Sequence, residues 1–466
     1  MRANLPVRLA MSGHHHRVLH AHLFPGDGNE AVAFALCGRA RRPDLELLVV
    51  REVMPIAHDA CRIRTPHRVA WPGSSLEPIL QRASAAGMAV VKIHSHPGGY
   101  DWFSETDDIA EGEMFPSVFG WLDTDAPMAS VIMLPDGKMV GRAVLENGGG
   151  APLDSIRVAG DDFIFWRSES TAIEVPEHAR RVAQTFGEET YRQLRNLRVG
   201  VVGCSGTGSI VAEQLARNCI GDLVLVDPDH VEDKNLNRIL NSTAEDAATE
   251  CPKPAVQQRA IEAMKLGTKV TAYAKDLMNL EVLRALSTCD VLFGCMDSVD
   301  GRHVLNKLAS AYVIPLIDLG VRLDADGVGG IDSILTVVHT VLPGGSSLLS
   351  RGVYSMEDLD AAFLKRTSPA DYEEQRKAGY VKGVKVDQPA VVSVNMDAAS
   401  TAMNEFLARI HPYRVKHNRN FAIRRSSLSD PEVSESMQEG PACPVMQRIV
   451  GTGDQTPFLG MLAFQG

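Results

Sequence analysis

Val199-Gly200-Val201-Val202-Gly203-Cys204-Ser205-Gly206-Thr207-Gly208-Ser209 is an apolar run that breaks into closely spaced glycines and then opens a helical pattern over Ser209–Cys219. A glycine-rich turn between a strand and a helix lets backbone N–H groups approach a phosphate at the helix N-terminus. Alone it is a weak signal, since any Rossmann-type enzyme can carry it. Its surroundings say more. From Arg198 onward, strand-like runs at Val199–Gly203, Leu223–Asp227, Val270–Ala274, Asp290–Cys295 and Ile314–Leu319 alternate with helical patterns such as Arg302–Ala311. That alternation predicts an α/β fold with a doubly wound parallel sheet.

Polar residues then follow in a set order. Asp227 ends the second strand, where a carboxylate can hold ribose hydroxyls. Asn235-Leu236-Asn237-Arg238 comes next, then Lys253, then Cys295-Met296-Asp297 with Arg302. Each charge taken singly also reads as a solvated surface position, Arg302 on its helix most of all. As a series they resemble the ThiF/MoeB and ubiquitin-activating adenylation domain, over residues 185–410. The resemblance implies a Rossmann-like domain that uses ATP and Mg²⁺. Gly203, Gly206 and Gly208 form the phosphate turn, Asp227 takes the ribose, and Asn235, Arg238 and Lys253 contact the triphosphate. Asp297 positions Mg²⁺ and the attacking carboxylate. Such a cluster suits phosphoryl chemistry because charge accumulates on phosphate oxygens in the transition state. Ser205 and Ser298 stand where the family usually has Gly and Asn, so the nucleotide geometry differs slightly. An arginine from a second subunit often completes these sites, which implies a homodimer, with Arg180 or Arg181 as the contributed group.

The most specific local signal lies upstream, in His94-Ser95-His96-Pro97 followed by Ser104 and Asp107. Histidines two apart on a strand face the same side. Two imidazoles and a carboxylate leave a tetrahedral zinc with one open position for water, whose pKa the metal lowers. The site also needs a base that is not a ligand. Glu30, opening the apolar run Glu30–Leu36, is the candidate. Ser104 three residues before Asp107 is also a plausible helix start. Together these residues resemble the JAMM (JAB/MPN) metalloprotease family over residues 1–155. The resemblance implies Zn²⁺ held by His94, His96 and Asp107, Glu30 as general acid/base, and Ser104 donating to the oxyanion. The fold class expected is therefore α/β throughout: a JAB/MPN metalloprotease domain followed by a doubly wound ThiF adenylation domain.

Further elements around the zinc motif are strands at Glu30–Leu36 and Leu45–Met54, a helix at Ser75–Ala86, a strand at Met88–Ile93, and a hairpin of Ser130–Leu134 and Lys138–Val144 around Pro135-Asp136-Gly137. His14, His15, His16, His20 and His22 read as a solvated loop, because no thiol or carboxylate lies near to complete a metal set. The expected boundaries are 1–155 for the first domain, 156–195 for a helical linker, 196–412 for the second domain with an irregular crossover at 351–388, and 413–466 for an extended tail. Val391–Ile410 reads as an amphipathic helix.

The chain has 466 residues, 45% hydrophobic and 23% charged, with a net charge of −11. That balance suits a globular protein of more than one domain and argues against a nucleic-acid-binding surface. No run approaches the roughly 18 apolar residues that cross a bilayer, nor a signal peptide. Eight scattered cysteines without a Cys-x-x-Cys pair suit reduced thiols in the cytoplasm.

Both resemblances imply one partner, a ubiquitin-like or sulfur-carrier protein ending in Gly, with a conjugating enzyme to receive it. The adenylation domain would activate that terminus, and the isopeptidase would process or release the same protein. The alternative use of the pair is sulfur-carrier activation. What accepts the carrier is open. Relatives commonly have Cys-x-x-Cys after the turn equivalent to Pro343-Gly344, and many a catalytic cysteine in the crossover beyond. Here no cysteine lies between Cys295 and Cys443. A serine oxyester, with Ser347 and Ser350 first and Ser355 and Thr367 behind them, direct transfer of the adenylate, and Cys443 are the remaining routes.

Overall fold

The computed structural model describes residues 5–168, 174–326, 328–377 and 391–461. It divides into two compact units. Met1–Ala172, Ala311–Val313 and Ile449–Gly466 form the first; Ile173–Ser310 and Ile314–Arg448 form the second.

In the first unit the chain runs β1 (Val7–Ser12), α1 (Gly13–Leu23), β2 (Val32–Arg42), β3 (Leu45–Pro55), β4 (Ile63–Thr65), β5 (Arg68–Ala70), α2 (Glu77–Ala86), β6 (Ala89–Ser95) and α3 (Glu105–Leu122). It continues through β7 (Met128–Met133), β8 (Met139–Val144), β9 (Gly150–Pro152), β10 (Ser155–Ala159) and β11 (Phe163–Arg167). A nine-stranded sheet has the order β11-β10-β1-β3-β2-β6-β7-β8-β9. Its central strands β2, β3 and β6 are apolar runs rather than alternating ones, because both faces are covered. α3 packs through Phe115, Val118 and Phe119, all buried, each worth about 1.5–3 kcal/mol of burial. Its start is set by a capping box between Ser104 and Asp107.

Two expectations fail in this unit. The histidine-rich stretch is not a loop but α1. Ser12 caps it by accepting from His15 N at 3.2 Å, Leu19 and Leu23 anchor it in the core, and His16 and His20 bond the carbonyls of Gly137 and Pro135. Residues 156–167, expected within a helical linker, instead hold most of β10 and all of β11. Ser155–Ala159 pairs parallel with β1, a partner far away in sequence that no local pattern reveals. Of the expected linker, residues 169–173 lie outside the described residues.

The second unit begins with α4 (Arg180–Phe186) and α5 (Glu188–Asn196), then runs β12 (Arg198–Val202), α6 (Gly206–Arg217), β13 (Asp222–Val226), α7 (Ala244–Ala248), α8 (Lys253–Met264), β14 (Lys269–Tyr273), α9 (Leu280–Leu286), β15 (Val291–Gly294) and α10 (Val299–Ala311). β16 (Leu316–Ala325), β17 (Ile331–Val341), α11 (Met356–Thr367), α12 (Pro369–Lys377), α13 (Val392–Ile410), β18 (Ile423–Ser427), β19 (Glu435–Met437) and α14 (Pro444–Gln447) follow. Its eight-stranded sheet is ordered β14-β13-β12-β15-β16-β17-β18-β19. The first five strands are parallel and the rest antiparallel. The chain order therefore reverses between β12 and β15, the topological switch point of a doubly wound sheet.

The crossover expected to be irregular contains α11 and α12; Ser355 starts the first of them by a capping box with Asp358. Residues 378–388 lie outside the described residues. The expected tail is not extended either. β18 and β19 widen the second sheet, and the segment from Ile449 belongs to the first unit, where Gly38 N donates to Gly451 O at 3.2 Å and Asp454 N to Arg39 O at 2.8 Å. Segments this short carry no periodicity of their own and take their structure from partners they meet in the fold. Residues 462–466 lie outside the described residues.

Candidate functional site

In the first unit, His94 is the penultimate residue of β6, His96 follows just past the strand, and α3 begins beside them. His94 Nε2 lies 3.1 Å from His96 Nε2 and 2.9 Å from Asp107 Oδ1, and His96 Nε2 lies 3.6 Å from Asp107 Oδ2. These three side chains form a group of donors able to hold a metal ion, the one such group among the described residues. Burial, with Lys92 behind it, pushes His94 down to about 4, so its imidazole is neutral near pH 7 and keeps a lone pair to donate. Nδ1–H of His96 donates to Tyr100 O at 2.9 Å, which orients the ring so that Nε2 faces His94 and Asp107. Burial pushes the Asp107 carboxyl up, yet the adjoining imidazoles of His94 and His96 prevail and hold it well below the ordinary range. Two imidazole nitrogens and a carboxylate are a donor set that fits a zinc site with an open position.

Glu30 stands immediately before β2 and is 4% exposed. Its N–H donates to Thr65 O at 2.8 Å, and Tyr100 Oη reaches its Oε1 at 3.5 Å. Burial raises its carboxyl to about 7, with His96 pulling down and Asp107 pushing further up. A buried carboxylate with a near-neutral pKa, close enough to feel both metal-site charges, has the properties of a general base.

Ser104 stands where its reading as a helix cap places it. Its hydroxyl donates to Asp107 Oδ2 at 2.7 Å and accepts from Asp107 N at 3.2 Å, so the serine caps α3 and orients the carboxylate. Ser104→Ala is expected to lower stability by about 1 kcal/mol through loss of the cap and to weaken metal retention. Thermal melts with and without chelator check this; an unchanged melt in both would remove the capping role.

In the second unit the glycine turn sits at the switch point. Gly203 has φ +92°, and a Cβ there would lie 2.5 Å from Cys295 O. A Cβ at Gly208 would lie 1.7 Å from Gly203 O, so neither position admits a side chain. Asp227 is buried and closes the turn: its Oδ2 accepts from Cys204 N at 2.7 Å and its Oδ1 from Asp229 N at 2.9 Å. Burial raises its pKa, and Lys253 partly offsets the rise. Lys253, at the start of α8, is held by Asp229 at 2.7 Å. Asn235 is buried, with Oδ1 accepting from Glu232 N at 3.1 Å. Arg238 donates to Lys234 O at 2.7 Å. Its Cδ would lie 3.5 Å from a Cβ at Gly206, against which the side chain of Asn395 also packs. Asp297 is exposed on the loop after β15.

The fold thus brings Gly203, Gly208, Asp227 and Lys253 together around one turn and sets Arg238 beside Gly206. Sequence reading missed two members of this neighbourhood. Asn395 lies on the buried side of α13, flagged only by being polar on a stripe with Val394 and Ala398. Asp318, fully buried on β16, is pushed up to about 6 by burial while Arg302 lies 3.4 Å away. Arg302 also donates to Leu319 O at 3.0 Å, so it is not a solvated surface residue. Arg180, expected to reach across to a second subunit, here pairs with Glu177 at 2.5 Å on an exposed helix start.

The serines expected as acyl acceptors are occupied elsewhere. Ser347 is 1% exposed, and its Oγ accepts from Ser350 N at 3.2 Å; Ser350 Oγ accepts from Ser347 N at 2.9 Å and donates to Ser347 O. Ser355 caps α11, Thr367 bonds Phe363 O, and Cys443 is buried. These hydroxyls hold turns and helix ends: Ser347 and Ser350 bond to each other, and Ser355 donates to its capping partner Asp358 at 2.8 Å.

A glycine turn at the switch point of a doubly wound sheet, ringed by Asp227, Lys253 and Arg238, marks the second unit as a Rossmann-like α/β domain, and the His–His–Asp group marks the first. The chain belongs to the ThiF family, which it matches over residues 178–444, and residues 12–135 match the prokaryotic homologs of the JAB domain. It is 25% identical over 188 residues to the sulfur carrier protein ThiS adenylyltransferase of Bacillus subtilis, covering 39% of this chain and 56% of that protein. It is 31% identical over 145 residues to the Escherichia coli protein of the same name, covering 31% and 55%. To the ubiquitin-activating enzyme E1-like protein of Saccharomyces cerevisiae it is 27% identical over 137 residues, covering 29% and 21%. The chain thus spans little more than half the length of these curated relatives at most. Among solved structures, E. coli MccB with ATP is similar over 58% of this chain and 74% of its own, at 19% identity and a TM-score of 0.44.

Proposed function

We propose that this protein activates the C-terminus of a ubiquitin-like or sulfur-carrier protein by ATP-dependent adenylation, and that its first domain is a zinc isopeptidase acting on the same carrier. The observation that carries the reading is the grouping of Asp227, Lys253 and Arg238 about the glycine turn in a ThiF-family chain. Asp227 would hold the ribose, Lys253 and Arg238 would neutralise phosphate oxygens, and Asp297 would hold Mg²⁺. The carrier's terminal carboxylate attacks that phosphorus and pyrophosphate leaves. Sulfur-carrier activation is the same chemistry with a different acceptor, and the names of the Bacillus subtilis and E. coli relatives favour it.

In the first domain His94, His96 and Asp107 would hold the zinc, which when bound supplies Lewis acidity and an activated water. Glu30 takes the proton from the nucleophile and returns it to the leaving amine. Tyr100 keeps Glu30 in place through its hydroxyl and fixes His96 through its carbonyl. The two activities share a substrate, since cleavage after a terminal Gly exposes the carboxylate that adenylation needs.

The test is carrier-dependent exchange of labelled pyrophosphate into ATP, with NAD as the control ligand for a dehydrogenase. We further propose a homodimer in which Arg180 or Arg181 reaches the second subunit's nucleotide. Light scattering is expected to give twice the chain mass, and an Arg180→Ala/Arg181→Ala chain should regain exchange when mixed with an Asp297→Ala chain. A fully active monomer would remove the dimer.

A further inference from the structure

Lys92 on β6, Ser130 on β7 and Arg142 on β8 stand in one row across three neighbouring strands: Lys92 pairs with Ser130, and Ser130 with Arg142. All three donate to one carboxylate on α3. Glu111 Oε1 accepts from Lys92 Nζ at 2.9 Å and from Ser130 Oγ at 2.5 Å; Oε2 accepts from Arg142 Nη2 at 2.7 Å and Nε at 3.1 Å. Glu111 is 5% exposed, Lys92 3% and Ser130 0%. Arg142 also pairs with Asp108 at 2.6 Å and lies 3.9 Å over the ring of Phe103. Burial raises the Glu111 carboxyl, but Lys92, Ser130 and Arg142 together bring it below its ordinary value, so it is ionised.

The position of this clamp matters more than its charge. Glu111 follows Asp107 by four residues, one helical turn, and shares its face of α3. Lys92 precedes His94 by two residues and shares its face of β6. The clamp therefore joins the same helix to the same strand as the donor triad does, one turn and one row behind it. A buried ion network contributes little net stability over apolar packing of equal volume. Its bonds are directional, however, whereas the apolar contacts of Phe115, Val118 and Phe119 tolerate a slide of the helix along the sheet. We infer that Glu111 is a positioning residue for metal binding: through Lys92, Ser130 and Arg142 it sets the register of α3 so that Asp107 meets His94 and His96. This rests on the reading of the triad as a metal site.

The experiment uses the full chain stripped of metal, titrated with Zn²⁺ against a chelator and with Co²⁺ followed by its ligand-field spectrum. One variant removes the clamp as a unit, Lys92→Met/Glu111→Leu/Ser130→Ala/Arg142→Met. A second, Glu111→Asp, keeps the charge balance but shortens the reach by one methylene. The clamp-less variant is expected to melt near the parent temperature yet bind both ions about 10–100-fold more weakly. Glu111→Asp is expected to fall by less, with a shifted Co²⁺ spectrum. Unchanged affinity in a folded clamp-less variant, failure of that variant to fold, or an unchanged spectrum and affinity in Glu111→Asp each overturns the positioning role. A parent chain that binds neither ion instead removes the metal reading itself.

Discussion

Replacing Glu30 by Gln is expected to abolish amide hydrolysis after a carrier's terminal Gly, by about 10²–10⁴-fold, while zinc content stays at the parent level. The side chain keeps its size and its place before β2 but cannot take a proton. His96→Ala is expected to lose the metal as well, because it removes one of the converging donors. Equal metal loss in both variants would make Glu30 a ligand and sink the assignment. The pH dependence follows from the burial that raises Glu30 to about 7. The base works when ionised, so cleavage by the parent should fall as pH drops through about 7. The same shift has the opposite sign for stability. A carboxyl whose folded pKa lies above its ordinary 4.5 favours the fold when protonated, and that contribution is lost as pH rises from 4.5 through about 7. Metal-free Glu30→Gln should therefore match the metal-free parent at pH 4 and melt above it at pH 8.

Asp297→Ala should cut carrier-dependent pyrophosphate exchange by about 10²–10³-fold, the loss typical of removing one group that stabilises transition-state charge. Asp297 is exposed on the loop after β15, whereas the turn itself is held by Asp227 and Cys204, so the substitution leaves the local fold intact. ATP binding measured without Mg²⁺ should consequently change little, while the Mg²⁺ dependence of exchange disappears. Robust exchange in the variant would move the metal role to another carboxylate. A parallel Asp227→Ala variant is expected to lose nucleotide binding itself, because Cys204 N and Asp229 N then lack the acceptor that shapes the turn.

With Ser347 and Ser350 engaged in a turn and Cys443 buried, we propose direct transfer of the proposed adenylate to a partner, the route that asks these side chains for no rearrangement.

Both sites were legible in the sequence because each depends on local geometry. A strand places His94 and His96 on one face by its period of two, a helix start places Asp107 three residues after its cap, and a tight turn before a helix demands glycine at 203 and 208. The βαβ rhythm likewise exposed the doubly wound sheet. Tertiary structure alone decided the rest, where the determining contact is distant in the chain. β10 and β11 become strands because β1 offers an edge, α1 forms because its histidines reach carbonyls of the β7–β8 turn, and the segment from Ile449 finds its hydrogen bonds on β2. Asn395 and the row of donors on Glu111 were equally hidden. A polar residue in an apolar run gives no sign of its partner until the strands and helices that carry both are packed together.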